Sequence, residues 1–176
     1  MKSILITGGA GFIGSNLTEL LVEKYPNYKF VVIDLLTYAG DMHNLMNVKS
    51  AKNFTFVNGN ICDRSLIERI FQHYYINNVI HLAAESHVDN SITDPGVFIE
   101  TNVKGTFTLL DVAYKYWMEK PFEYKRGYEN SRFLHVSTDE VYGSLGKEGL
   151  FTEQTPYAPN SPYSASKASS DFIVRS

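Results

Sequence analysis

The chain has 176 residues, 44% of them hydrophobic and 20% charged, with a formal net charge of -3. That is enough for one domain with a sizeable core, and the charge balance calls for neither nucleic acid nor an anionic membrane surface. Cys62 is the single cysteine, which excludes an intramolecular disulfide and makes a reducing cytoplasm the expected setting.

Ile4-Leu5-Ile6 reads as the first strand, a short continuous apolar run. It is too short for a signal sequence, and no later run is long enough to span a bilayer. Thr7-Gly8-Gly9-Ala10-Gly11-Phe12-Ile13-Gly14 follows it and opens a helix expected over Phe12–Lys24, with Ile13, Leu17, Leu20 and Leu21 on one stripe. In this strand–turn–helix setting, Gly8 permits the tight turn, Gly11 lets the backbone approach a pyrophosphate, and Gly14 lets the helix close on the sheet. The helix N-terminus adds free N–H groups and the positive end of the helix dipole. The second strand, Phe30–Ile33, is followed by Asp34, twenty residues after Gly14. A carboxylate there accepts the hydroxyls of an adenosine ribose and repels a 2′-phosphate, which favours NAD over NADP. The alternative is a solvated aspartate at a strand end.

The third strand is expected at Phe54–Val57, followed by Gly59-Asn60-Ile61. Asn60 offers an amide to an adenine edge and Ile61 a surface to pack on it, although a plain turn accounts for these residues as well. Cys62 reads as a small packing residue. A helix over Ser65–Tyr74 groups Leu66, Ile67, Ile70 and Phe71, and the fourth strand covers Val79–Leu82. Leu82, Ala83 and Ala84 leave room for a cofactor against that strand end. A long helix is expected over Val97–Met118 with Val103, Phe107, Leu110 and Tyr114 on its apolar stripe, then a solvated connection over 119–132 and a fifth strand at Phe133–Val136. The last helix begins at Asn160-Ser161-Pro162, with Asn or Ser as its cap and Pro in its first turn. Continuous apolar strands alternating with helices predict a doubly wound, Rossmann-like parallel α/β sheet. The chain ends nine residues after Lys167, so the sheet is expected to be truncated with strand five as an edge.

Thr138, Asp139 and Glu140 lie just past strand five, and open α/β sheets bind ligands outside the carboxyl ends of their strands. Adjacent carboxyls in unlike environments divide into an acid and a base. Simple alcohol oxidation needs no such pair; removal of water does. The alternative is a polar strand end with Asp139 capping a turn. Tyr163 and Lys167 are four apart and share a helix face. A free phenol has a pKa of about 10, and the Lys167 ammonium beside a cationic nicotinamide is expected to lower it. Tyr163 then takes a hydroxyl proton while hydride leaves the same carbon. His43, His73, His81, His87 and His135 show no metal-ligand spacing, and no metal site is expected.

Taken together, the glycine segment, Asp34 to Gly40, His81 to Asp89, Thr101-Asn102-Val103, Ser137 to Gly143 and Tyr163 to Lys167 resemble the extended short-chain dehydrogenase/reductase family. Within it they resemble the 4,6-dehydratase branch acting on dTDP-glucose. The resemblance implies a hydro-lyase of deoxysugar biosynthesis that uses NAD. Tyr163, assisted by Thr138 and Lys167, would deprotonate the glucose 4-hydroxyl; Glu140 would remove the C5 proton; Asp139 would protonate the departing 6-hydroxyl. It also implies that Phe12 and Ile13 line the pyrophosphate, that Asp34, Leu35, Leu36 and Thr37 hold the ribose region, and that Asn60 and Ile61 meet the adenine. Leu82, Ala83, Ala84, Glu85, Ser86 and Thr101 would line the cofactor, and Ser86, His87 and Thr138 would face the substrate.

Two positions depart from the family pattern: Asn60 where Asp is usual, and Asn90 where Arg is frequent. The family carries a C-terminal portion that binds the nucleotide. Residues 1–176 are therefore expected to be an NAD-binding Rossmann domain lacking the substrate domain, with little or no turnover alone. The full-length protein is expected to pair as a homodimer through helices that include the one bearing Tyr163. Competing readings are a nucleotide-sugar 4-epimerase, which needs no carboxyl pair, and a non-catalytic NAD-binding module.

Overall fold

The computed structural model describes residues 2–176. In chain order its main elements are β1 (Ser3–Thr7), α1 (Phe12–Lys24), β2 (Lys29–Asp34), β3 (Phe54–Asn58), α2 (Arg64–Tyr74) and β4 (Asn78–His81). They continue with α3 (Val88–Thr93), α4 (Pro95–Phe98), α5 (Thr106–Trp117), β5 (Met118–Lys120), β6 (Glu123–Tyr124), β7 (Arg132–His135) and α6 (Pro162–Arg175). Five strands form one parallel sheet in the order β3-β2-β1-β4-β7, so every carboxyl end opens on the same side. The expected strands lie within a residue of those observed.

Strand side chains point alternately to the two faces, and both faces are covered. Leu5, Val31, Ile33 and Val79 pack under α2 and α5 against Ile67, Phe71, Leu109 and Trp117. Ile6, Phe30, Val32 and Phe54 pack on the other face with Val22, Leu45 and Val48. Asp63 caps α2 by accepting from the Leu66 N–H, and Ser161 caps α6 in a capping box with Ser164. No helix among the described residues is long and apolar enough to cross a membrane.

The structure corrects three expectations. First, α1 does not bury Ile13 and Leu20, which are largely exposed; it buries Gly14, Ser15, Thr18 and Val22. The small face wins because the glycine turn brings α1 so close to the sheet that a Cβ on Gly9 would lie 2.5 Å from Val32 Cγ1. Second, the long helix is interrupted: α4 runs into a π-helical turn over Ile99–Gly105 before α5 begins. The face that packs inward carries Leu109, Val112, Ala113 and Trp117, leaving Phe107 and Tyr114 outward. Third, the connection at 119–132 contains a small antiparallel hairpin, β5–β6. As expected, β7 is a sheet edge among the described residues, with Leu134 exposed.

Core packing sets a first prediction. Phe71 is fully buried between Tyr116 and Trp117, whereas Phe107 is half exposed. Phe71→Ala is expected to lower the urea-unfolding free energy by about 3–5 kcal/mol, and Phe107→Ala by about 1 or less. Equal losses would contradict the core assignment.

Candidate active site

The carboxyl ends of β1, β2, β3, β4 and β7 surround a cleft of about 360 Å³. At its base the chain must turn without side chains. Gly8 has φ +71°, and a Cβ there would stand 2.6 Å from the Ala83 backbone nitrogen. A Cβ on Gly14 would stand 2.1 Å from the Gly8 carbonyl oxygen. Gly11 differs, because a Cβ there would meet only ordinary van der Waals contacts. Protein packing does not demand glycine at 11, and the residue lines the cleft. Gly11 is also the N-cap of α1 and supplies no side-chain cap, so the first N–H groups of α1 remain available to an anion.

Asp34 is held at both oxygens: Oδ2 accepts from the Ala10 N–H and Oδ1 from the Leu36 N–H, each at 2.9 Å. Each carboxylate oxygen keeps a further lone pair for a ligand hydroxyl. Leu35, Thr37, Asn60 and Ile61 line the same end of the cleft. The other end is lined by Leu82, Ala83, Ala84, Glu85, Ser86, Thr101, Tyr163 and Lys167, with Phe12 and Ile13 beside the helix N-terminus. Leu36, expected on the cofactor side, packs instead into the apolar cluster with Ile6 and Val32. Its backbone turns through a left-handed conformation, φ 56°, which directs the side chain inward. Asn60 uses its side-chain oxygen to accept from the Cys62 N–H, so this amide is already part of the turn.

Tyr163 and Lys167 are both buried on α6. The Lys167 ammonium donates to the Val136 carbonyl at 2.7 Å, and burial lowers its pKa to about 8. Burial is the largest influence on the Tyr163 phenol and raises its pKa; a hydrogen bond with Thr138 lowers it, and the Glu140 and Asp139 carboxylates raise it again. The expected depression of the phenol is therefore not produced by the protein groups; Lys167 directs its proton to the β7 end rather than to Tyr163. Thr138, Asp139 and Glu140 do not line the cleft but sit beside the Tyr163 hydroxyl. Thr138, not Asp139, caps the 3₁₀ turn over Asp139–Tyr142. His87 also lies off the cleft, with its ring 5.3 Å from that of Tyr38. Tyr38 hydrogen-bonds Glu85 and thereby joins the β2 loop to the β4 loop; burial, then that carboxylate, raises its pKa.

One supporting element escapes sequence reasoning. His81 is buried, with Nδ1 2.7 Å from Thr7 Oγ1 and Nε2 2.8 Å from Thr106 Oγ1. Thr106 gives its proton to the Asn102 carbonyl, so it must accept from His81 Nε2–H. Nδ1 then accepts from Thr7, which itself accepts from the Ala83 N–H. Burial, then the charges of His135 and Lys167, hold the His81 pKa well below its ordinary value, in keeping with this neutral tautomer. Asn102 continues the network by accepting from the Glu85 N–H and donating to Glu85 O and Ser166 Oγ. In sequence, His81 was one apolar-strand histidine among five.

A family profile described as GDP-mannose 4,6 dehydratase matches residues 5–176. The dTDP-glucose 4,6-dehydratase of Neisseria meningitidis serogroup B is 51% identical over 176 residues, covering 99% of this chain and 48% of that protein. A crystal structure of the dTDP-glucose 4,6-dehydratase from Streptomyces venezuelae with NAD and TYD bound has a TM-score of 0.84 at 45% identity, covering 98% of this chain and 50% of that one. The UDP-glucose 4-epimerase of Thermus thermophilus, in complex with NAD, has a TM-score of 0.81 at 30% identity, with 98% and 50% covered. The chain thus spans about half the length of the relatives it matches. With the profile matched across nearly its whole length and the glycine turn, Asp34 and the Tyr163–Lys167 pair set around one cleft, the chain belongs to the GDP-mannose 4,6 dehydratase family.

Proposed function

We propose that residues 1–176 form the NAD-binding Rossmann domain of a dTDP-glucose 4,6-dehydratase, a cytoplasmic hydro-lyase whose substrate-binding C-terminal portion lies outside them. The Thr138 hydrogen bond to the Tyr163 phenol, with the Asp139 and Glu140 carboxyls on the next two residues, supports this reading most directly. Gly11 on the cleft wall, the available α1 N-terminus and the fixed Asp34 carboxylate fit the pyrophosphate and ribose of NAD. When bound, NAD supplies a hydride acceptor at the sugar C4 and a donor at C6. Tyr163 accepts the proton of the 4-hydroxyl, with Thr138 orienting its oxygen. Lys167, held at Val136, lines the same cleft as Tyr163. The ketone formed at C4 acidifies the neighbouring C–H, and Glu140 removes that proton. Asp139, the more exposed carboxyl, protonates the departing 6-hydroxyl. The similarity to an epimerase favours a second reading in which only hydride transfer occurs. We also infer a homodimer, because α5 carries Phe107 and Tyr114 on its outward face and α6 carries Phe172.

Mass analysis of dTDP-glucose after incubation with the full-length enzyme and NAD separates the two enzymatic readings. Loss of one water is expected; a 4-epimer without water loss favours the epimerase. Asp139→Asn with Glu140→Gln is expected to slow water loss by about 10²–10⁴-fold while nicotinamide reduction, followed by absorbance, persists. Equal loss of both steps would remove the carboxyls from the elimination.

Lys167 gives a pH test. Its unfolded pKa is near 10.5 and its folded pKa about 8, so within that window the unfolded chain binds more protons. Its contribution to stability therefore rises with pH, by about 3 kcal/mol across the window. The difference in unfolding free energy between the wild type and Lys167→Met should climb between pH 8 and 10.5. A flat difference would show that the ammonium is not buried at a cost. For the dimer, sedimentation should give twice the chain mass, and Phe107→Glu should halve it; a wild-type monomer would end that inference.

A further inference from the structure

The helix that bears Tyr163 and Lys167 carries a third buried ionisable residue one turn further on. Asp171 is four residues past Lys167, on the same face of α6, and is 6% exposed. No part of the proposed chemistry uses it. Its Oδ2 accepts from Ser137 Oγ at 2.6 Å and from the Tyr157 hydroxyl at 2.9 Å. Its Oδ1 lies 3.1 Å from His135 Nε2, with both side chains 6% exposed. Ser170 Oγ gives its proton to the Lys167 carbonyl, so at 3.3 Å it can only accept from that same His135 nitrogen. Asp171 therefore meets three polar partners: hydrogen-bond donors from the residue just before Thr138 and from the segment leading into α6, and the β7 imidazole at ion-pair distance.

These contacts have a common consequence. Lys167 binds the carbonyl of Val136, and Asp171 binds the hydroxyl of Ser137. Two successive residues of the β7 exit are tied to two successive turns of α6. The next three residues are Thr138, Asp139 and Glu140. Their segment is short and partly exposed, with Asp139 open to solvent, and its own 3₁₀ turn is a weak anchor. Tyr157 adds a brace: its ring packs on Tyr142 at the end of that turn and on Phe172 of α6, while Ala158 N–H donates to Val141 O. Burial opposes the ionised form of Asp171, but hydrogen bonds from His135, Ser137 and Tyr157 outweigh it and hold its pKa below the ordinary carboxylate value. Charge-assisted bonds of this kind are stronger than neutral ones.

We propose that Asp171 is a positioning residue that clamps the Ser137–Glu140 segment onto α6 and so sets the two carboxyls against the Tyr163 hydroxyl. The assignment rests on the reading above, in which Asp139 and Glu140 carry the elimination while Tyr163 serves hydride transfer. A loosened segment then penalises water loss more than hydride transfer, whereas simple loss of stability penalises both alike.

The test uses Asp171→Asn, Asp171→Ala and Ser137→Ala in the full-length enzyme loaded with NAD. Ser137→Ala removes only one of the three bonds and keeps the design interpretable if Asp171→Ala does not fold. Amide exchange read by mass spectrometry over peptides covering 137–143 is expected to speed up by about ten- to a hundredfold in the variants, with β1 and β2 peptides unchanged. Unchanged exchange at 137–143 in Ser137→Ala and Asp171→Asn would overturn the clamp. With dTDP-glucose added, water loss is expected to fall about tenfold further than nicotinamide reduction. Equal falls in both would reduce Asp171 to a stabilising residue. If the full-length wild type reduces no nicotinamide and loses no water, the dehydratase reading fails, and the exchange result still decides the clamp.

Discussion

The site depends on how closely the β1–α1 turn approaches the end of β4. With Gly8 and Ala83 almost in backbone contact, no side chain fits between the two strand ends, and the cleft floor is main chain rather than side chain. That contact fixes where α1 begins, and hence where its N–H groups point. It also brings Thr7 within reach of the Ala83 N–H and of His81. From there a network of hydrogen bonds runs through Thr106 and Asn102 to Glu85 and to Ser166 on α6. The helix bearing Tyr163 is thus referenced to the same floor that shapes the cofactor end. A buried network of this type is effective only when every member is satisfied, and the His81 tautomer satisfies each of these groups in turn.

The pattern of the sheet was legible because each strand is a continuous apolar run, and Gly8 and Gly14 have steric reasons visible in their spacing. Asp34, Tyr163 and Lys167 were legible for a similar reason, since the strand–turn–helix frame sets the distances between such residues. The faces of α1 and α5 were not. In α1 close backbone approach overrides the apolar stripe and favours Gly14, Ser15 and Thr18 over leucine. In α5 two apolar stripes compete, and the π-helical turn at Ile99–Gly105 settles the phase at which α5 meets the sheet. Periodicity alone cannot register a widened turn. Leu36 was misread because a left-handed residue reverses the side on which its neighbours would lie.

Long-range polar partners were the least legible part. His81 reads as an ordinary strand histidine until Thr7 and Thr106 are brought to its two nitrogens, and Asp171 reads as a helix-surface carboxylate until β7 is laid against it. Both lie in sequence where composition predicts nothing. Their partners are 74, 25 and 34 residues distant. Only the parallel order of β1, β4 and β7 makes them neighbours.

The electrostatics of Tyr163 contain a conflict that bears on function. Burial and the two carboxylates at 139 and 140 all oppose a phenolate, and Thr138 alone among the neighbours that shift it favours one. A site built only for hydride transfer would gain by having neither carboxylate, because each makes the tyrosine a harder base to generate. Their retention beside it is understandable if they perform a second proton transfer that the tyrosine cannot perform. Burial is the larger part of that opposition to a phenolate, and the two carboxylates add to it from outside the cleft lining.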